Sequence, residues 1–178
     1  MDSPDDYDNL KKHDLLGRID CEKLYQPFLE KINTALTACV ERGAIYVATN
    51  GLRTYAEQNA LYAIGRTVAP IGKSHFVTMA PAGYSGHQFG IAIDVVRHKG
   101  ATYEGKLDPD YSDAAFEIWA EELEKVGLEA GLRWKFKDSP HGQVPIKNKH
   151  ITWSILRGWY TKGGYSEVFK QLDAHGPW

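Results

Sequence analysis

Cysteine is nearly missing from this 178-residue chain: Cys21 and Cys39 are the only two. Two thiols build no disulfide framework, and neither stands in a CxxC or Cys/His metal spacing, so any metal has to be held by histidine and carboxylate. An excess of either charge is missing as well. The 21 Lys+Arg against 23 Asp+Glu leave a net charge of −2, without the clustered basic surface that phosphate neutralisation needs, and no nucleic-acid partner is expected. No run approaches the roughly 18 consecutive apolar residues of a membrane span, so no membrane insertion is expected. The opening MDSPDDYDNLKK has neither a basic start nor an apolar core, which reads as synthesis in the cytoplasm without a signal peptide. Repeats, low-complexity tracts and Gly/Ser linkers are also absent. What is present suits an ordinary domain: 43% of residues are hydrophobic and 25% charged, enough to bury one core over 1–178. Histidine is the group to follow, with His13, His75, His87, His98, His141, His150 and His175.

Local signals divide the chain into helices and strands. Ser3-Pro4-Asp5-Asp6 has a capping oxygen, a proline for the first helical position and acids for the positive end of the dipole, which predicts a short N-terminal helix. Phe28, Ile32, Leu36 and Val40 repeat every four residues and stop at Arg42-Gly43, predicting a helix with Pro27 in its first turn and Cys39 as a packed core thiol. Residues 44–49 are short and β-branched and end at Asn50-Gly51, a strand followed by a turn. Thr54 and Glu57 form a capping box for a helix from Tyr55 to about Ile64, which places Arg53 between a strand end and a helix start. Residues 66–84 read as a long loop, and a second strand is predicted around Phe89–Val96. Phe116, Trp119, Ala120 and Leu123 make one face of an amphipathic helix from about Ser112 to Val126, closed by Gly127. Residues 131–145 read as a strand pair around a polar turn, with Trp134 in the core. The C-terminal segment reads as two short helices broken at Gly163-Gly164. Helices and strands mix without a βαβ rhythm, which favours an α+β fold.

Two polar constellations stand out. In Ser85-Gly86-His87-Gln88-Phe89-Gly90-Ile91-Ala92-Ile93-Asp94, the histidine and the aspartate are seven apart, on opposite faces of a straight strand. For both to meet one ion the backbone must bend, and Gly90 is where a bulge or turn is tolerated. Taken alone, the pair is weak evidence and reads first as an ordinary hydrogen-bonded strand terminus. The second constellation is Asp138-Ser139-Pro140-His141, where Pro140 excludes a helix interior. A carboxylate and an imidazole on one tight turn can divide proton transfer and metal ligation. The bland alternative is an Asx turn before proline.

Three runs in order, Asn50-Gly51-Leu52-Arg53-Thr54-Tyr55-Ala56-Glu57-Gln58, then Ser85-x-His87-x-x-Gly90-x-Ala92-x-Asp94, then Asp138-x-Pro140-His141, resemble the VanY-like zinc metallopeptidases. Within that group they are most similar to L-alanyl-D-glutamate endopeptidases of bacterial cell-wall hydrolases and phage endolysins. The resemblance covers about residues 25–175. It implies a single peptidase domain with a short N-terminal helical extension, a small antiparallel sheet flanked by helices, and the fold shared by hedgehog-type domains and D-Ala-D-Ala peptidases.

By position, the resemblance assigns His87, Asp94 and His141 as ligands of Zn²⁺, Asp138 as catalytic acid/base, and Arg53 as a substrate and oxyanion contact. Gln58 and Ser85 match motif positions of supporting role and, with Tyr84 beside the Ser85 motif, are candidate substrate-binding residues; His75 is given no role beyond a place on the long loop from which it could line the cleft. A surface salt bridge to Glu57 is the plain alternative for Arg53. Gly142 departs from the aromatic or aliphatic residue of relatives, which bears on the shape of the substrate groove. Two imidazoles and one carboxylate leave an open fourth position on zinc, as in catalytic sites. The implied activity is cleavage of the L-Ala-D-Glu bond of the peptidoglycan stem peptide by a monomeric endolysin that reaches the cell wall after release. A D-Ala-D-Ala carboxypeptidase of the same fold and a non-catalytic zinc-binding module are the alternatives.

Overall fold

In the computed structural model, residues 15–72, 75–146 and 150–176 are described. The helix expected at Ser3–Asp6, and His13, lie outside them. Helix α1 (Gln26–Glu41) buries Phe28, Leu29, Ile32, Ala35, Leu36 and Cys39, the stripe its periodicity predicts, and carries Pro27 in its first turn. Strand β1 (Ile45–Asn50) follows after Gly43, and α2 (Tyr55–Ala63) opens on the capping box: Thr54 accepts from the Glu57 amide while Glu57 accepts from the Thr54 amide.

The predicted second strand is shifted. Gly86–Phe89 form a 3₁₀ turn, Gly90 takes φ 69°, and β2 runs from Ala92 to His98. A left-handed conformation at Gly90 costs glycine little, and it turns the chain so that Phe89 enters the core while the strand starts three residues later than expected. β2 is the centre of an antiparallel sheet of order β1-β2-β5-β4, where β4 is Glu129–Ala130 and β5 is His141–Gln143; the two-residue β3 (Pro109–Asp110) also pairs with β2. The expected strand pair over 131–145 is therefore shorter and begins earlier, with Gly131–Arg133 as a 3₁₀ turn and Phe136 exposed on the intervening loop.

The helix predicted over Ser112–Val126 is also divided, into a 3₁₀ turn at Asp113–Phe116 and α3 (Glu117–Lys125). Tyr46 causes the break. Its hydroxyl donates to the Ala115 carbonyl at 2.5 Å and accepts from the Trp119 amide at 3.3 Å, standing between the two groups that an unbroken α-helix would join directly. Finally α4 (Trp153–His175) is two helices meeting at Gly163 and Gly164, the latter at φ 64°. The core is continuous from α1 through β1 and β2 to Trp119, Leu123, Leu156 and Leu172. The fold is thus α+β with a small antiparallel sheet among helices, as expected.

Candidate functional site

The bend at Gly90 is what brings the first constellation together. His87 sits on the 3₁₀ turn and Asp94 on β2, and the β2–β5 register sets Asp94 directly opposite His141. His87 Nε2 lies 3.1 Å and His141 Nδ1 3.0 Å from Asp94 Oδ1, so the three candidate ligand atoms all fall within 4.8 Å of one another.

The outer hydrogen bonds decide what those atoms carry. His87 Nδ1 is 2.7 Å from the Gly51 carbonyl and His141 Nε2 is 2.9 Å from Gln143 Oε1. The Gly51 carbonyl only accepts, and Gln143 presents its amide oxygen, so each imidazole donates from its outer nitrogen and turns its inner nitrogen toward Asp94. Two imidazole nitrogens and a carboxylate oxygen then face one another, a set held together by protons shared with Asp94 or, in their place, by a cation. Outer acceptors of this kind are what orient histidine ligands in metal sites. The donor set of two nitrogens and one oxygen suits Zn²⁺ with a position left open. Burial opposes ionisation of Asp94, yet the two imidazoles outweigh it and hold the carboxyl well below the usual range. Burial also disfavours a charged His141, but its bonding to Asp94 prevails and raises its proton affinity.

Around this cluster runs a cleft of about 710 Å³ lined by Arg53, Tyr84, Ser85, Trp134 and Asp138, among others. Asp138 stands on the loop before β5. Its backbone is tied to Gly131, where a Cβ would fall 2.3 Å from the Asp138 carbonyl oxygen, so glycine is what allows this approach. Asp138 is open to cleft water, but desolvation by the surrounding walls still pushes its carboxyl above the ordinary value, and the nearby Asp94 adds to this against the two imidazoles and Arg53.

Arg53 lies at the turn before α2, as expected, and its backbone amide bonds the His87 carbonyl. Its guanidinium donates to Gln58 Oε1 at 2.9 Å and lies 3.6 Å from Asp94 Oδ2. The Glu57 alternative fails because that carboxylate is used in capping Thr54. Gln58 needs correction as a substrate-binding residue. It is fully buried, with its amide nitrogen donating to the Ala80 carbonyl at 2.7 Å, and it reaches the cleft only through its bond to Arg53. Ser85 is also buried, at the start of the 3₁₀ turn, whereas Tyr84 is exposed at the cleft lip with the Arg157 guanidinium 4.3 Å from its ring.

Other expectations change. Trp134 is a cleft residue rather than a core one, its ring 5.1 Å from that of His141. Gly142 does not shape the groove: a Cβ there would press on Leu123 and Trp119 inside the core. His75 packs on Phe76 and does not line the cleft. His98 bridges Thr102 and Asp108, and His175 stacks on Trp159 and His150, so these serve the fold. Sequence reasoning missed Gln143 and Glu129. The signal for Gln143 was available, since it lies two residues beyond His141 on the same face of a strand.

Comparison with known proteins adds three findings. Residues 22–154 match the model of the VanY family, described as D-alanyl-D-alanine carboxypeptidase. The chain is 36% identical over 109 residues to the peptidoglycan L-alanyl-D-glutamate endopeptidase CwlK of Bacillus subtilis (strain 168), covering 58% of this chain and 63% of that protein. The match therefore spans a little under two thirds of that relative's length. Among solved structures, the Serratia marcescens L-Ala D-Glu endopeptidase ChiX is similar at a TM-score of 0.47 and 21% identity, over 71% of this chain and 84% of that one.

Proposed function

Because the chain belongs to the VanY family, we propose that it is a zinc-dependent peptidase that cuts the L-Ala-D-Glu bond of the peptidoglycan stem peptide. The observation that carries the reading is the convergence of His87, Asp94 and His141 on one cleft with Asp138 and Arg53. The choice of bond follows the name of the CwlK relative. The setting, a monomeric endolysin acting on the wall after release, rests on the sequence resemblance alone; among the described residues no helix is long and apolar enough to cross a membrane.

A zinc ion held by His87, Asp94 and His141 would polarise the scissile carbonyl and bring the pKa of water toward about 7. Asp138 takes the proton of the attacking water and returns it to the leaving amine, a role helped by a carboxyl whose pKa is raised toward the working pH. Arg53 donates to the carbonyl oxygen as it gains negative charge. Gln58 holds the guanidinium in place for this, and Tyr84 and Trp134 give the peptide two aromatic walls.

A second reading, a D-Ala-D-Ala carboxypeptidase, is favoured by the description of the family itself. Digestion of purified sacculi followed by mass spectrometry separates the two. New D-Glu amino termini are expected, and release of D-Ala without them overturns the choice of bond. A non-catalytic zinc module is disfavoured by Asp138, since binding alone gives no use for a base beside the metal.

A further inference from the structure

His141 faces Asp94 through Nδ1, and that nitrogen can ligate a metal only while the ring's remaining proton is on Nε2. The partner that keeps it there, Gln143, is ambiguous by itself, because a carboxamide can turn either its oxygen or its NH₂ toward an imidazole. With the NH₂ inward, His141 would protonate Nδ1 and lose the lone pair needed for ligation. Glu129 removes the ambiguity. It pairs with Gln143 across the β4–β5 register, and its Oε2 accepts from Gln143 Nε2 at 3.2 Å while Oε1 accepts from the Trp134 indole at 2.9 Å. An ionised carboxylate has no proton to give, so the amide nitrogen must face Glu129 and the amide oxygen must face His141. Trp134 can only donate, so it reinforces the same direction.

Resting on the metal reading above, we propose that Gln143 and Glu129 are positioning residues that fix His141 as the Nδ1 ligand tautomer and so set the affinity of the site for zinc. Neither touches a reacting atom. The relay ends on Trp134, a wall of the cleft, so the same carboxylate also fixes a surface the substrate meets.

The test is zinc affinity, measured by competition with a chromophoric chelator. Gln143→Met removes both amide groups at similar volume and is expected to bind zinc about 10–100-fold more weakly, with far-UV circular dichroism unchanged. Gln143→Glu alone sets two carboxylates against each other and should also weaken binding. The exchange Glu129→Gln with Gln143→Glu keeps an acceptor toward His141 and toward Trp134 and re-forms the bond between positions 129 and 143 with its donor reversed, and should recover affinity to near the wild-type level. Wild-type affinity in Gln143→Met overturns the proposal. An exchange variant no tighter than Gln143→Glu also overturns it, and this comparison stands even where Gln143→Met does not fold. Failure of the wild-type protein to bind zinc overturns the metal reading itself, which separates the two ideas.

Discussion

The cleft floor and the cleft walls are built differently. On the floor, His87 and His141 are 2% and 5% exposed, each ring nitrogen has a bonded partner, and the positions are set by a strand register and a 3₁₀ turn. On the walls, Tyr84, Trp134 and Asp138 sit on irregular segments, and the neighbouring loop residues Val77, Met79 and Phe136 are exposed. A floor that must bring three ligand atoms within reach of one ion tolerates little slack. Walls that meet a substrate can vary, and loops on a rigid scaffold allow this.

Five substitutions and the addition of zinc probe that contrast. Asp138→Ala should lower turnover on sacculi by about 10²–10⁴-fold while zinc content by atomic absorption stays at the wild-type level; loss of zinc would move Asp138 from wall to floor. Arg53→Ala should cost about 10²–10³ in kcat. Gln58→Leu should cost less, and adding it to Arg53→Ala should cost nothing further in kcat, since Gln58 works through the guanidinium. A free additivity of the two would break the link between them. Zinc at about 100 times its Kd stabilises by about 2.7 kcal/mol, which for a domain of this size raises Tm by about 5–10 °C in a thermal melt. Asp94→Asn should abolish that shift. Phe136→Ser, on the wall loop, should change stability by less than about 0.5 kcal/mol, as read from urea unfolding; a larger loss would show that this loop is packed more like the floor.

Much of the site was legible because its signals are short. The capping box spans Thr54 to Glu57, the bend needed between His87 and Asp94 falls on Gly90, and the double-glycine break of α4 is written in two residues. The same local logic missed the division of α3, because the cause, Tyr46, is 69 residues away from Ala115. It misplaced Trp134, which follows the core pattern of aromatics but is drawn into the cleft by its bond to Glu129.

The sequence by itself determined where the backbone must turn, since caps, glycines and strand periodicity act within a few residues, and through its resemblance to a family it marked His87, Asp94, Asp138 and His141 as candidates. Only the tertiary structure decided which partners each imidazole meets. That depends on partners 36 residues from His87 at Gly51 and 47 residues from His141 at Asp94. Through a Gln143 oriented by Glu129 on the neighbouring strand, it also depends on a register that no local pattern encodes. Hydrogen bonds distinguish donor from acceptor only when both groups are in place, and that pairing is a property of the folded chain.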